Sequence, residues 1–382
     1  MKKINKSEGS ASARTLENLK EIEPRLKVGV LVLNTGHGLY IGGINYGIES
    51  DLPHARAILN AMDGQSTCAQ ISQNSGAGLD DVLEIVRALD NAGLVDTVRT
   101  SIRVQRFHSP NPNRSTHKND DSNDGGFQQL QSKLAPELSA STWISGVRDG
   151  GVNVIAQRRN WEVSIFGEGR IATLLYGILL ASGISETLLI PAKNSTAISA
   201  ESLTSGFLRQ SDIGLNLKVR SSELAGELSL FPANSSDARE KFAISIGQPQ
   251  ADQQQEWMSS GTPHLVIEPA ECASLFIGPL VIPGITPCLR CVRLIRHERE
   301  ILWDEIELNR LTHAPSEVPV SVAHYVAGLI TLELLSYIDR EKSQLLGACL
   351  TIDFHNLATT DRTLYTRHLA CGCNWGQEKS PR

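Results

Sequence analysis

The stretch Trp161-Glu162-Val163-Ser164-Ile165-Phe166-Gly167-Glu168-Gly169-Arg170-Ile171-Ala172 decides the fold. An apolar strand-like run stops at a Gly-x-Gly turn, and an apolar helical run starts directly after it and closes at Gly183. Strand, glycine turn and helix in that order suit a phosphate. Glycines let the backbone approach, and the helix N-terminus presents free N–H groups. Arg170, beside the turn, adds a cation with the fork geometry for a phosphate oxygen pair. Ala172 occupies the third glycine position of the pattern, a permitted variant.

Outward from this turn, strand and helix patterns alternate from Trp143 onward, which predicts an α/β domain. The runs predict strands over 152–157, 161–166, 187–190, 242–246 and 265–267, and helices over 170–182 and 322–338. A bound nucleotide's ribose usually meets an Asp or Glu at the end of the second strand. Here that strand runs into Pro191-Ala192-Lys193-Asn194, with no carboxylate. The turn is therefore read two ways: as a nucleotide site, or as an inherited feature of the fold.

Two cysteine pairs lie further on, Cys288-Leu-Arg-Cys291 and Cys371-Gly-Cys373. Four thiolates complete the tetrahedral shell of Zn²⁺ and leave no open position, so the expected role is structural zinc clamping the end of the chain onto the domain. A redox pair and four unrelated cysteines are the competing readings. His368 is a spare ligand candidate, expected outside the shell. Cys349, in an apolar run, and Cys272, before one, are expected to be buried packing.

Upstream, residues 1–24 are polar and read as a flexible tail. Residues 25–100 read as a small separate domain. Two β-branched runs, 26–33 and 39–44, flank Asn34-Thr35-Gly36-His37-Gly38 and predict a hairpin. Helical stretches follow over 53–62, 67–72 and 79–92, with Asp63-Gly64 and Gly93 as stop signals. Strands followed by three short helices form a winged-helix pattern. Its third helix carries Asp80, Asp81 and Glu84 against Arg87, carboxylates that repel phosphate, so no nucleic-acid partner is expected. Residues 101–140, rich in Pro, Asn, Ser, Asp and Gly near their start, read as a disordered linker, and 141–382 as the α/β domain.

Composition agrees with two folded domains: 382 residues, 41% hydrophobic, 20% charged, formal net charge −6. The N-terminus has lysines but no apolar core of a signal peptide. The apolar stretches 171–184 and 325–338 are short for a bilayer, and the second contains Glu333, so a cytoplasmic protein with no membrane partner is expected.

Taken together, these segments resemble the ThiF-type superfamily, which includes the ubiquitin-activating enzymes. The resemblance spans about residues 160–375 and rests on several motifs. These are Gly167-x-Gly169-Arg170, Phe207-Leu-Arg209-Gln-Ser-Asp212-Ile-Gly214, Gly278-Pro279 through Pro283-Gly284 to the Cys-x-x-Cys, the Ala327-to-Glu333 helix and the last cysteine pair. The small domain resembles the PqqD-like peptide-recognition module through Leu59, Met62-Asp63-Gly64 and the 89–95 exit. The combination is similar to the leader-peptide-binding partner proteins of azoline-forming cyclodehydratases.

The resemblance implies a Rossmann-like fold, a homodimer, ATP and Mg²⁺ at the glycine turn, and a carboxylate activated as an acyl-adenylate. Carried over by position, Gly167, Gly169 and Arg170 are the cofactor-binding residues. Arg209, Lys218 and Asp252 are the catalytic candidates, and Cys288, Cys291, Cys371 and Cys373 hold the metal. The departures are as informative. Leu203-Thr204-Ser205 stands where the family's catalytic Arg belongs, and Gly247-Gln248-Pro249 where its Mg²⁺-binding Asp belongs; Asp252 is displaced. With the ribose carboxylate also missing, adenylation is expected to be weak.

Three readings follow. One is a scaffold that grips a precursor or leader peptide, by strand addition at Val28, Val30, Leu31 and the 83–89 helix face, and presents it to a partner modifying enzyme. Another is an active ATP-dependent adenylyltransferase. The last is a winged-helix regulatory or structural dimer.

Overall fold

The computed structural model describes residues 2–4, 20–36, 38–44, 46–98, 124–191, 197–229, 239–312, 318–356 and 360–374. Two compact units emerge, Met1–Ala156 and Gln157–Arg382.

In the first unit a sheet with strand order β1-β5-β4-β3 forms from β1 (Lys2–Ile4), β3 (Leu31–Thr35), β4 (Gly38–Gly42) and β5 (Gly47–Ser50). The hairpin expected from the sequence is the β3–β4 pair, with Leu33 opposite Tyr40. Its first strand starts later than 26 because Gly29, at φ +89°, turns the chain, and Val30 N–H bonds back to the Lys27 carbonyl at 3.2 Å. The residues before that turn form β2 (Arg25–Leu26), which pairs with β6 (Val95–Asp96) instead. Part of the expected flexible tail is ordered, since β1 pairs parallel with β5. His37, within the expected turn, lies outside the described residues.

Helices α1 (Ala55–Asn60), α2 (Cys68–Ser75) and α3 (Leu79–Asn91) fall where the periodicity places them. Thr67 and Gln70 cap α2 reciprocally, side chain to backbone in both directions. Ile41, Ile58, Ile71, Ile85, Val86 and Leu89 are among the residues closed into one core.

The second half of the expected linker is a helix, α4 (Asp124–Ser141). Beyond Gly126 the sequence turns to Gln, Leu, Lys, Ala and Glu, all good helix formers, and Leu134 is buried. Residues 99–123 lie outside the described set. The strand expected over 152–157 is also a helix, α5 (Val152–Arg158). The Asp149 carboxylate accepts N–H bonds from Gly151 at 3.1 Å and Asn153 at 2.8 Å, which starts a helical turn. A short apolar run cannot by itself tell strand from helix.

The second unit is built on a seven-stranded sheet, order β13-β12-β11-β10-β9-β7-β8. Strands β7 (Trp161–Phe166), β8 (Glu186–Ile190), β9 (Glu240–Ile246) and β10 (His264–Ile267) are parallel; β11 (Ser274–Val281), β12 (Ala348–Asp353) and β13 (Asp361–Leu364) complete it antiparallel. Helices α6 (Arg170–Ala181), α7 (Leu217–Leu228), α8 (Ala251–Ser260), α9 (Leu289–Arg299), α10 (Trp303–Thr312) and α11 (Val320–Arg340) connect or cover the strands. The chain leaves β7 for β8 on one side and returns to β9 on the other, so the strand order reverses at the end of β7. Ligands of such sheets bind at that reversal.

Helix α11 is longer than the apolar stretch read from sequence, 21 residues. Its length and composition would allow a membrane crossing, but half of its apolar window is buried. Val322, Val326, Ile330 and Leu334 lie in the core with Leu175 and Leu179 of α6. That burial makes it a core helix.

Candidate functional site

The glycine turn sits at the reversal point, and its first glycine is dictated by packing. Gly167 has φ +128°, and a Cβ there would lie 2.7 Å from the Ile246 Cβ. Its N–H donates to the Ile190 carbonyl at 2.8 Å, fastening the turn to β8. Gly169, at φ +90°, has open space around it and forms the N-cap of α6 without a side-chain cap. Between them, Glu168 is exposed.

The sequence-predicted charged residues are not gathered around this turn. Arg170 donates from Nε to the Leu203 carbonyl at 3.2 Å and from Nη1 to the Val318 carbonyl at 2.7 Å. Its fork ties α6 to two loops. Arg209 is exposed, and its backbone N–H bonds Asp212 Oδ2 at 2.8 Å. Asp212 is 2% exposed, with its other oxygen held by Arg220 Nε at 3.0 Å, so that carboxylate is structural. Lys218 is exposed in the first turn of α7. Asp252 is exposed in the first turn of α8, accepting only the Gln253 N–H at 2.9 Å. Among the described residues no hydrogen bond or ion pair joins Arg209, Lys218 and Asp252 to one another. After β9 come Gly247 and Gln248; Lys193 and Asn194 lie outside the described residues.

The four cysteines, by contrast, do converge. Their Sγ atoms lie within 4.8 Å of one another, with Cys288 to Cys371 at 3.4 Å, Cys291 to Cys373 at 3.5 Å and Cys288 to Cys291 at 3.8 Å. Sulfurs around a tetrahedral Zn²⁺ with Zn–S of about 2.3 Å stand about 3.8 Å apart, so one ion fits this set. Burial raises the Cys288 thiol well above its ordinary range and takes Cys373 up to about 11. A bound metal would take them as thiolates. His368 is not part of the set: Nε2 bonds Glu298 at 2.8 Å, and Nδ1 accepts the Ala370 N–H at 3.1 Å.

The single cysteines divide. Cys68 and Cys349 are buried, and burial pushes their thiols up to about 11 and about 12, which removes them as nucleophiles. Cys272, expected to be buried, is exposed. It occupies a tight turn with Ala273, both at positive φ (47° and 57°), between mutually bonded Glu271 and Ser274.

In the first unit, Val28, Leu31 and Leu33 are 57%, 48% and 50% exposed. Leu83, Ile85, Val86 and Leu89 are core, so the 83–89 helix face is already used for packing. A cavity of about 580 Å³ nearby in sequence is lined by Lys27, Tyr46, Asp90, Trp143 and Arg148 among others. Lys27 is buried there, donating to the Thr142 and Val147 carbonyls at 2.6 and 2.7 Å; burial lowers its pKa.

Sequence reasoning passed over Glu268, Arg296, Arg310 and Trp303, which cluster in the second unit. The signal was present in part: Arg290, Arg293 and Arg296 recur every third residue, starting within the first cysteine pair.

No protein-family model and no curated protein matches the chain. Solved structures do. E. coli MccB with AMPCPP and MccA is 16% identical, covering 92% of this chain and 99% of that one, at a TM-score of 0.59. The microcin C7 biosynthetic enzyme MccB in complex with N-formylated MccA is 16% identical over 92% and 99%, at 0.58. PaaA is 15% identical over 88% and 99%, at 0.59. At such identities the likeness concerns the fold alone, a Rossmann-type α/β fold on a sheet with parallel strands like that of MccB.

Proposed function

We propose that this chain binds a precursor peptide and presents it to a separate modifying enzyme, on a ThiF-like fold braced by structural zinc and with an eroded adenylation site. The observation that carries the reading is Arg170. This cation beside the glycine turn already gives its Nε and Nη1 donors to the Leu203 and Val318 carbonyls. Glu168 puts a carboxylate into the turn, and Gln248 stands where the resemblance places a metal-binding Asp. Each change disfavours a triphosphate and its Mg²⁺. Peptide capture is supported by the exposed apolar residues of β3, whose outer edge has no strand beside it among the described residues. An extended peptide gains main-chain hydrogen bonds at such an edge. MccB, with the same fold, is known in complex with the precursor peptide MccA. In this reading residues 25–100 are the winged-helix peptide-recognition module and the protein is a homodimer.

A second reading, an active adenylyltransferase, is favoured by the AMPCPP and ATP complexes of MccB. It would assign Arg209, Lys218 and Asp252 to the triphosphate and Mg²⁺. Calorimetric titration of the zinc-replete chain with Mg·ATP separates the two. The scaffold reading expects no binding at millimolar ATP, with binding of peptides encoded beside the gene. Micromolar ATP affinity, lost in Gly169→Asp, would establish the adenylyltransferase.

A further inference from the structure

We infer that the pocket bounded by α8, β10, β11, α9 and α10 is a binding site for a small monocarboxylate, held by Arg290 and Arg293 beside Trp303. This is independent of the peptide reading. Of the residues around the glycine turn and the end of β9, only Gln248 lines the pocket.

The fixed charges at the pocket's base cancel. Glu268, 5% exposed, is paired with Arg296 and with Arg310 at 3.1 Å, and Arg310 also grips Glu271 at 2.5 and 2.9 Å. Both guanidiniums stack on Trp303, at 5.2 Å from its ring. Two cations and two carboxylates thus account for one another and hold the indole in place.

What lines the pocket beyond that quartet does not cancel. Arg290 and Arg293, exposed and one turn apart on α9 at the pocket's mouth, form no ion pair or side-chain hydrogen bond among the described residues, and Glu307 is the remaining carboxylate. Two cations against one anion leave one positive charge. Trp303, 9% exposed, lines the pocket beside them. The Gln248 and Gln254 amides add polar lining, while Val266, Leu289 and Pro279 supply apolar wall.

Donors, one surplus positive charge and apolar wall together describe the complement of an organic carboxylate. Arginine forks match its two oxygens. The volume, about 350 Å³, is at the small end for ligand pockets, so the ligand is smaller than a nucleotide.

The test is ¹⁹F NMR of the full chain labelled with 5-fluorotryptophan, which gives one resonance for each of the five tryptophans. Benzoate is the probe, benzamide its uncharged counterpart and inorganic phosphate the second anion. Benzoate at millimolar concentration is expected to move the resonance that Trp303→Phe removes. The double variant Arg290→Gln/Arg293→Gln should weaken that response at least about tenfold. Benzamide and phosphate should leave it in place. If Trp303→Phe does not fold, single Phe substitutions of the other tryptophans assign the resonance by elimination. An unmoved Trp303 resonance, an equal response to phosphate or benzamide, or a benzoate response unchanged in the arginine variant would each overturn the assignment.

Discussion

Cys288 and Cys371 bring their Sγ atoms to 3.4 Å although they are 83 positions apart in sequence. One thiol opens α9 and the other follows the last strand, β13, so an ion between them joins two distant parts of the unit. Four buried or half-buried thiols packed this closely gain little without a cation. The purified protein should contain one zinc per chain by elemental analysis. Chelation, or Cys371→Ser with Cys373→Ser, should lower the melting temperature by roughly 10 °C or more, because metal free energy is folding free energy at such sites. Binding should release protons, since Cys373 is otherwise protonated up to about 11. Full stability retained without zinc would remove the metal from the reading.

His264 sets an acid limit. It is fully buried in β10, its Nδ1–H donates to the Thr262 carbonyl at 3.0 Å, and its Nε2 has no partner. Burial lowers its pKa to about 4, from 6.5 for a free side chain. Between those values the unfolded chain holds the extra proton, so stability falls as the pH drops from 6.5 towards 4. Below that window the loss amounts to about 3 kcal/mol relative to neutral pH. Urea midpoints from pH 7 to pH 4 should show this slope, and His264→Phe should flatten it.

These two sites mark how far the sequence could be read. The cysteine set was legible because zinc needs four soft ligands at close spacing, and such spacing is written in the chain. The parallel strands were legible as β-branched runs. Helix α5 was not, since an apolar run of its length fits either state, and the Asp149 cap that decides it lies upstream of the run. Nor was the role of Arg170. Its place beside the glycine turn suggests phosphate, but only the folded chain brings the Leu203 and Val318 carbonyls to it. Trp303 offered no periodic or spacing signal at all; its importance comes from arginines on two helices.

Arg158 and Asp339 form a bidentate pair, Nε–Oδ1 at 3.0 Å and Nη2–Oδ2 at 2.7 Å, and Nη1 donates to the Ser182 carbonyl at 2.8 Å. Both side chains are 5% exposed. Removing one partner strands a buried charge, so Asp339→Ala should cost about 3–5 kcal/mol in chemical denaturation. Replacing both, Arg158→Met with Asp339→Leu, should recover most of that loss. A double variant no better than the single would show that the pair contributes more than its own neutralisation.

The two glycines of the turn should respond differently to alanine. At Gly169 the added Cβ meets open space, so only the φ of +90° is penalised, about 1–3 kcal/mol. At Gly167 the same strain is joined by a 2.7 Å approach to Ile246. Gly167→Ala should therefore be the more destabilising, and by a margin that Ile246→Ala leaves largely in place, because the nearest atoms, the Cβ at 2.7 Å and the backbone oxygen at 2.9 Å, are kept in the double variant. Equal losses at the two positions would contradict the close packing of β7 against β9.

The scaffold reading makes its sharpest demand on β3. Leu31 and Leu33 point the same way along the strand and are about half exposed, while Val32 between them packs against the core. The sheet's other edge strand among the described residues is the three-residue β1, Lys2–Ile4, parallel to β5, so β3 is the longer of the two edges. Leu31→Lys with Leu33→Lys removes the apolar contact and charges the edge without touching the core. Its melting temperature should stay near the parent's, as surface changes usually cost under about 0.5 kcal/mol. Affinity for the precursor peptide, read by fluorescence anisotropy, should drop at least about tenfold, the loss of two apolar side-chain contacts. Removing residues 1–4 distinguishes the edges. Unchanged affinity assigns the peptide to β3, whereas tighter binding in the truncated chain would move it to β5, where those residues now compete.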